Sequence, residues 1–364
     1  MHWLPPALLV VVVLAYVLLQ SRLAVPIASL AVAAPIASLT VVAPIASPPT
    51  AAAPIASPTT AAVHPNLLFT KIPKTGSTTM FQLLSRARRQ YYPEWKLALP
   101  MNNGSGLKET CISPAAGRRA WRKMIAHNGG QLDMFIHHAC FRSEYMTRAE
   151  DWSQRVPPLA LTLMRNPIDQ FMSKYRFTLA CCEKQWYWCS AFCKVGDMSL
   201  QGYLAYACPD NGPCNEQERY MGDKPLEKYF MVLIMERLDE SLTLLGIRLG
   251  WPQVIPYLRE NGNSLVPQPE LSPTQQHVIA QRSRRDIDLY RAAVARLDSA
   301  IAAQTPQERW EFDSRLSKLQ RINALAASRC PPTVCANEMS KEHFQCMEAC
   351  LDQVLSEATG SSTR

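Results

Sequence analysis

No stretch of the 364-residue chain matches G-x-x-x-x-G-K-[ST], the loop that cradles a nucleoside triphosphate. That absence argues against a triphosphate-dependent kinase or nucleotidase, which would also place a Mg²⁺-holding carboxylate after an apolar strand. Charge is missing from a long N-terminal stretch, with none between Arg22 and Lys71. Basic residues are not interleaved with aromatics along any one element, so a nucleic-acid partner is not expected. The tight C-x₂-C pairs of zinc ribbons and fingers are missing as well.

Positive charge is present in excess. The formal net charge is +8, with a sequence pI near 8.9. Lys71, Lys74, Arg86, Arg88 and Arg89 form one cluster, and Arg118, Arg119, Arg122 and Lys123 another. Such an excess suits an anionic ligand or surface; a solvated basic face is the alternative for the second cluster.

The 12 cysteines are equally informative. Cys181, Cys182, Cys189, Cys193, Cys208 and Cys214 crowd one segment, and Cys330, Cys335, Cys346 and Cys350 the C-terminus. In an oxidising compartment this pattern reads as disulfides. Cys346 and Cys350 share a helix face, so two bridges back to Cys330 and Cys335 would staple a hairpin. A four-cysteine zinc site is the rival reading, with looser spacings than usual.

Residues 4–19 (LPPALLVVVVLAYVLL) form an uncharged apolar run. It is expected to be a signal-anchor within residues 1–22, short but adequate for a thinner bilayer. A cleaved signal peptide is the alternative. Both routes lead into the secretory pathway, as the cysteines do. From 23 to 64 the motif [VA]PIAS recurs four times, with Pro26, Pro35, Pro44 and Pro54 at spacings of nine, nine and ten. These units are too short to build a solenoid core. The segment reads as a disordered, extended, partly polyproline-like stalk.

The remainder divides into a main domain, 65–328, with a cysteine-rich insertion at 180–222 and a cysteine-containing tail at 329–364. Strands are expected at 66–72, 134–138, 159–164 and 229–235, and helices at 78–90, from Pro167, at 240–249, 273–303 and 306–328. Alternating strands and helices define an α/β fold with a mainly parallel sheet flanked by helices. Ligands of such sheets bind beyond the carboxyl ends of the strands.

Two loops sit at such ends. In PKTGSTT, Gly76 allows a tight turn, and the amides of residues 75–79 then meet a helix N-terminus, an arrangement that binds phosphate. Lys74 adds a full charge, and Ser77, Thr78 and Thr79 add hydroxyls. An ordinary capped strand-to-helix connection is the alternative. In LTLMRNPIDQFMSKYRF, Arg165 leaves a strand, Pro167 opens a helix and Ser173 lies two turns in, so Arg165 and Ser173 could grip a second phosphate. A salt-bridged Arg165 and a capping Asn166 are the alternative there. Glu236, Asp239 and Glu240 could orient an acceptor or a basic residue, or cap a helix near 240. One sequon, Asn103-Gly104-Ser105, lies in a polar stretch.

Taken together, K-x-x-K-T-[GA]-[ST]-[ST]-[ST] and R-[DN]-P-x₅-S-x-[YF] resemble the motifs of the Golgi carbohydrate sulfotransferases. The segment FIHHACF, 135–141, is similar to the one that supplies the catalytic histidine in uronyl 2-O- and galactose 3-O-sulfotransferases. The segments VLIMERLDESLTLLGIRLGW, 232–251, and DIDLYRAAVARL, 286–297, resemble the galactose 3-O-sulfotransferases, which include the galactosylceramide enzyme. The resemblance covers roughly 66–300 and leaves 180–222 unmatched. It implies a P-loop-like sulfotransferase fold and 3′-phosphoadenosine 5′-phosphosulfate as donor, with no metal. Lys74, Thr75, Gly76, Ser77, Thr78 and Thr79 would hold the 5′-phosphosulfate, and Arg165 and Ser173 the 3′-phosphate. His138 would be the general base, with His137 as the back-up, and Lys74 would also act on the leaving group. The acceptor would be a galactose-containing glycan or glycolipid, or a uronyl polysaccharide. The protein would be a single-pass type II Golgi membrane protein with a lumenal catalytic domain. A non-catalytic glycan-binding protein on the same fold is the rival from another class.

Overall fold

The computed structural model describes residues 65–98, 113–185, 190–194, 196–208, 214–222, 226–258, 270–330 and 341–359. The apolar run at 4–19, the repeats and the Asn103 sequon lie outside them. Among the described residues no helix is long and apolar enough to cross a membrane.

Apolar runs make the sheet. Strands β1 (Leu67–Thr70), β2 (Leu97–Ala98), β3 (Met134–His137), β4 (Leu159–Met164) and β5 (Met231–Ile234) stand in the order β2-β3-β1-β4-β5, every pair parallel. Four are full strands, and β2 is a two-residue edge. The register sets Thr70 opposite both His137 and Thr162. Two bonds extend the ladders at that level: Lys71 N–H donates to the His137 carbonyl at 2.8 Å, and the buried Thr162 hydroxyl to the Thr70 carbonyl at 3.0 Å.

The helices are α1 (Ser77–Tyr91), α2 (Pro114–His127), α3 (Ser143–Met146), α4 (Pro167–Glu183), α5 (Ser190–Cys193), α6 (Leu200–Ala207), α7 (Glu216–Met221), α8 (Leu238–Arg248), α9 (Pro273–Arg282), α10 (Arg284–Ala302), α11 (Pro306–Arg329) and α12 (Lys341–Thr359). The chain leaves β1 towards β2 but leaves β4 towards β5. Right-handed crossovers therefore put α1 and α4 on opposite faces and open a crevice between the carboxyl ends of β1 and β4.

The main core runs through both layers, from Leu67, Leu68 and Phe69 to Met347, Leu351 and Val354 of α12. The segment expected as a C-terminal tail is thus part of that core, and α12 is tied to α11 by Cys330–Cys350, Cα atoms 6.0 Å apart. That bridge removes two ligands from the alternative of a four-thiolate zinc site. Cys182–Cys193 and Cys208–Cys214 are also bonded, Cys140, Cys181 and Cys346 are in disulfides too, and no described cysteine is free. Three such pairs suit a secreted or lumenal environment. The cysteine-rich segment builds its own apolar cluster, in which Phe192, Tyr203 and Leu204 pack on Phe171, Met172 and Tyr175 of α4 and Ile279 of α9.

Two expectations need correction. The helix expected over 273–303 is two helices, broken at Ser283, three residues before the buried Asp286. Residues 114–127, seen only as a charge cluster, are α2: Ala120, Trp121, Met124 and Ile125 form a buried face behind the exposed Arg118, Arg119, Arg122 and Lys123. Trp121 meets Phe135 edge-on at 5.1 Å.

Candidate active site

The carboxyl ends of β3, β1 and β4 bring three separate sequence segments together. After β1 the chain turns through Pro73 to Gly76. Lys74 has φ 62° and Gly76 φ 84°, both in the left-handed region, so the turn needs one glycine and strains one lysine. A Cβ on Gly76 would also lie 2.4 Å from the Met235 sulfur. The Thr75 hydroxyl is buried and donates to the Ile72 carbonyl at 3.0 Å. It therefore stitches the loop to itself, and only its amide remains for a ligand.

Helix α1 starts without a side-chain cap and without an acidic residue in its first turn. Its first internal bond runs from Met80 N–H to the Gly76 carbonyl at 3.1 Å, so the amides of Ser77, Thr78 and Thr79 precede the helical ladder. N-cap side chains close α2, α4, α6, α9 and α11 through Ser113, Asn166, Ser199, Ser272 and Thr305, while α3, α7, α8 and α10 start, like α1, without one. Donors and dipole at α1 are directed at the mouth of the loop, as anion binding requires. Ser77 and Thr79 are buried and Thr78 is half-buried.

Three cations stand at or just beyond these strand ends. The Lys74 ammonium lies over the Phe177 ring, 4.2 Å from its centre, and Lys71 lies over Phe81 at 5.3 Å. The Arg165 guanidinium donates through Nη1 to the Lys74 carbonyl at 3.3 Å. Among the described residues none of the three forms a salt bridge. Burial pushes Lys74 down to about 8, helped by the positive charges of Arg165 and Arg176, and burial alone pushes Lys71 to about 8. Arg176, one residue past the second motif, is a site residue that the motif does not mark. Ser173 is half-buried, one turn before Phe177 on the same side of α4.

His138 follows β3 directly. Its Nδ1 lies 2.8 Å from the Lys71 carbonyl. A carbonyl only accepts, so Nδ1 carries the hydrogen and Nε2 is the basic nitrogen. His137 makes the complementary contact through its backbone, as the acceptor of Lys71 N–H, and its ring stacks on Phe135 at 6.1 Å. The first loop is thus locked to the histidine segment by one side-chain and one main-chain bond.

Three further residues fix the loops. Gln170 donates to the Pro73 carbonyl at 2.8 Å. Gln217 brackets the Arg165 backbone, accepting from its N–H at 3.1 Å and donating to its carbonyl at 2.7 Å. Glu236 accepts from Asn166 N–H at 2.8 Å and from the Tyr290 hydroxyl at 2.9 Å. Of Glu236, Asp239 and Glu240, Glu236 alone touches the second loop. Asp239 accepts from Tyr257 and Asn323, and Glu240 pairs with Arg237.

The chain matches no model of a known protein family, and no curated protein matches it.

Proposed function

We propose that the chain transfers a sulfuryl group from 3′-phosphoadenosine 5′-phosphosulfate to a sugar hydroxyl, with the 3-hydroxyl of a galactose as the acceptor of choice. The observation that carries this reading is the approach of Arg165 to Lys74, neither salt-bridged among the described residues, at an uncapped helix start whose strand is bonded to His138. Half-buried cations with no counterion among the described residues cost folding free energy, and an anionic substrate offsets that cost. Two anion-binding loops on adjacent strands suit a nucleotide that carries phosphate at two positions.

In this reading the α1 loop holds the phosphosulfate, while Arg165 and Ser173 hold the 3′-phosphate. The sugar oxygen attacks sulfur in line with the bridging oxygen. As the new S–O bond forms, the hydroxyl proton passes to Nε2 of His138, whose Nδ1–H stays on the Lys71 carbonyl. The bond to the bridging oxygen breaks, and the Lys74 ammonium and the loop amides stabilise the charge left on the phosphate. An N-terminal anchor and lumenal orientation in the Golgi accompany this reading.

The test uses the full-length chain in detergent, radiolabelled donor, and a panel of galactosides, galactolipids and uronyl polymers. Transfer to a galactoside is the expected result. No transfer to any acceptor, together with no binding of adenosine 3′,5′-bisphosphate, overturns the proposal.

A further inference from the structure

The cysteine-rich segment, unmatched in the sequence, reaches both anion-binding loops through one short helix. The Cys208–Cys214 disulfide and a bond from Cys214 N–H to the Arg282 carbonyl, 2.9 Å, deliver the chain to α7. At its start, Glu216 takes the Lys174 ammonium at 2.6 Å and lies 3.3 Å from the Gln170 amide that holds Pro73. Next along α7 is Gln217, fully buried, with both amide atoms on the Arg165 backbone. The amides of Gln217 and Glu218 in turn donate to the two carboxylate oxygens of buried Asp286, at 3.0 and 2.8 Å.

We infer that Asp286 and Gln217 are positioning residues of the Arg165 anion site, Asp286 fixing the first turn of α7 and Gln217 fixing the backbone from which the guanidinium projects. The inference rests on the reading that Arg165 meets the nucleotide's 3′-phosphate. Two features support a dedicated role. Both polar atoms of one buried amide are committed to a single residue, which fixes that residue's peptide planes. Asp286 spans 68 to 69 residues of sequence to reach α7, and α9 and α10 break at Ser283 beside it.

Selectivity between two nucleotides provides the test. The full-length chain and its Gln217→Ala, Asp286→Ala, Asp286→Asn and Arg165→Ala variants are titrated with adenosine 3′,5′-bisphosphate and adenosine 5′-monophosphate. Gln217→Ala is expected to lose roughly tenfold in affinity for the bisphosphate, about 1.4 kcal/mol, and to keep the monophosphate within about twofold, the same selective pattern expected of Arg165→Ala. Asp286→Asn, which retains one acceptor, should fall between parent and Asp286→Ala. Equal losses for both nucleotides, or none, overturn the inference.

If the parent binds neither nucleotide, the proposed function fails, and hydrogen exchange at the Arg165 amide then decides the positioning role. Faster exchange there in Gln217→Ala and in Asp286→Ala upholds it, and unchanged exchange overturns it.

Discussion

The two ends of α1 treat their cations in opposite ways. At the C-terminal end, Arg86 pairs with Asp352 and Arg89 with Glu348, both on α12, while Arg88 donates to the Trp95 carbonyl at 2.8 Å. At the N-terminal end, Lys71 and Lys74 have ring faces beneath them and, among the described residues, no carboxylate paired with them. The same contrast holds for the backbone. The last turn closes with Tyr92 N–H on the Arg88 carbonyl, whereas the first is entered through two left-handed residues and has no side-chain cap. A helix satisfied at one end and left open at the other, with charge and strain concentrated at the open end, is what the proposed anion site there requires.

The contrast is broken most severely at the histidine. His138→Ala should lower transfer by about 10²- to 10⁴-fold while bisphosphate affinity stays near that of the parent, since the ring acts on the acceptor proton. Parent-like turnover in steady-state assays would remove His138 from the chemistry. Lys74→Gly comes next. Loss of the ammonium should cost about 10²- to 10³-fold in transfer. Yet glycine accepts φ 62° freely, so chemical denaturation should show the variant more stable than the parent by roughly 1 kcal/mol. A variant both inactive and less stable would contradict the view that this end of α1 sacrifices stability.

Smaller effects sharpen the same comparison. Gly76→Ala forces an L-residue into the left-handed region, a cost of about 1–2 kcal/mol in unfolding experiments. The nearby Met235 sulfur sits at the end of a flexible side chain, so the φ angle should account for most of this loss. Arg89→Ala, at the satisfied end, removes an exposed pair with Glu348 and should cost under about 1 kcal/mol, with transfer unchanged.

Much of this arrangement is legible in the sequence, for identifiable reasons. The uninterrupted apolar run LALTLM marks β4, and Pro167 marks the first turn of α4, because a buried parallel strand and a proline at a helix start leave strong local signals. PKTGSTT likewise announces a tight turn into a helix. Helix α2 was obscured because its four basic residues drew attention from the apolar face beneath them. The break at Ser283 was hidden for a different reason. It lies beside Asp286, whose carboxylate serves amides 68 to 69 residues away, a contact that no local periodicity records. Gln170 and Gln217 were invisible on the same grounds, since a glutamine in a helix becomes a clamp only when the fold brings a backbone to it.

The pH dependence of the open end provides the most direct test. Lys71 and Lys74 are held near pKa 8 in the folded protein, below the 10.5 of a free lysine. The unfolded chain therefore binds more protons between about pH 8 and 10.5. From these two groups, stability of the ligand-free protein rises with pH across that window, and below it the full cost of two buried ammonium ions remains. A bound anion should raise the Lys74 pKa, so binding near pH 8.5 should draw protons from the buffer. The decisive measurement is calorimetric titration of the full-length chain with adenosine 3′,5′-bisphosphate at pH 7, 8 and 9, in buffers of different ionisation enthalpy. The account requires affinity to fall as pH rises through 8, with net proton uptake near pH 8.5. Absence of binding, or an affinity flat to pH 9 with no uptake, would contradict it.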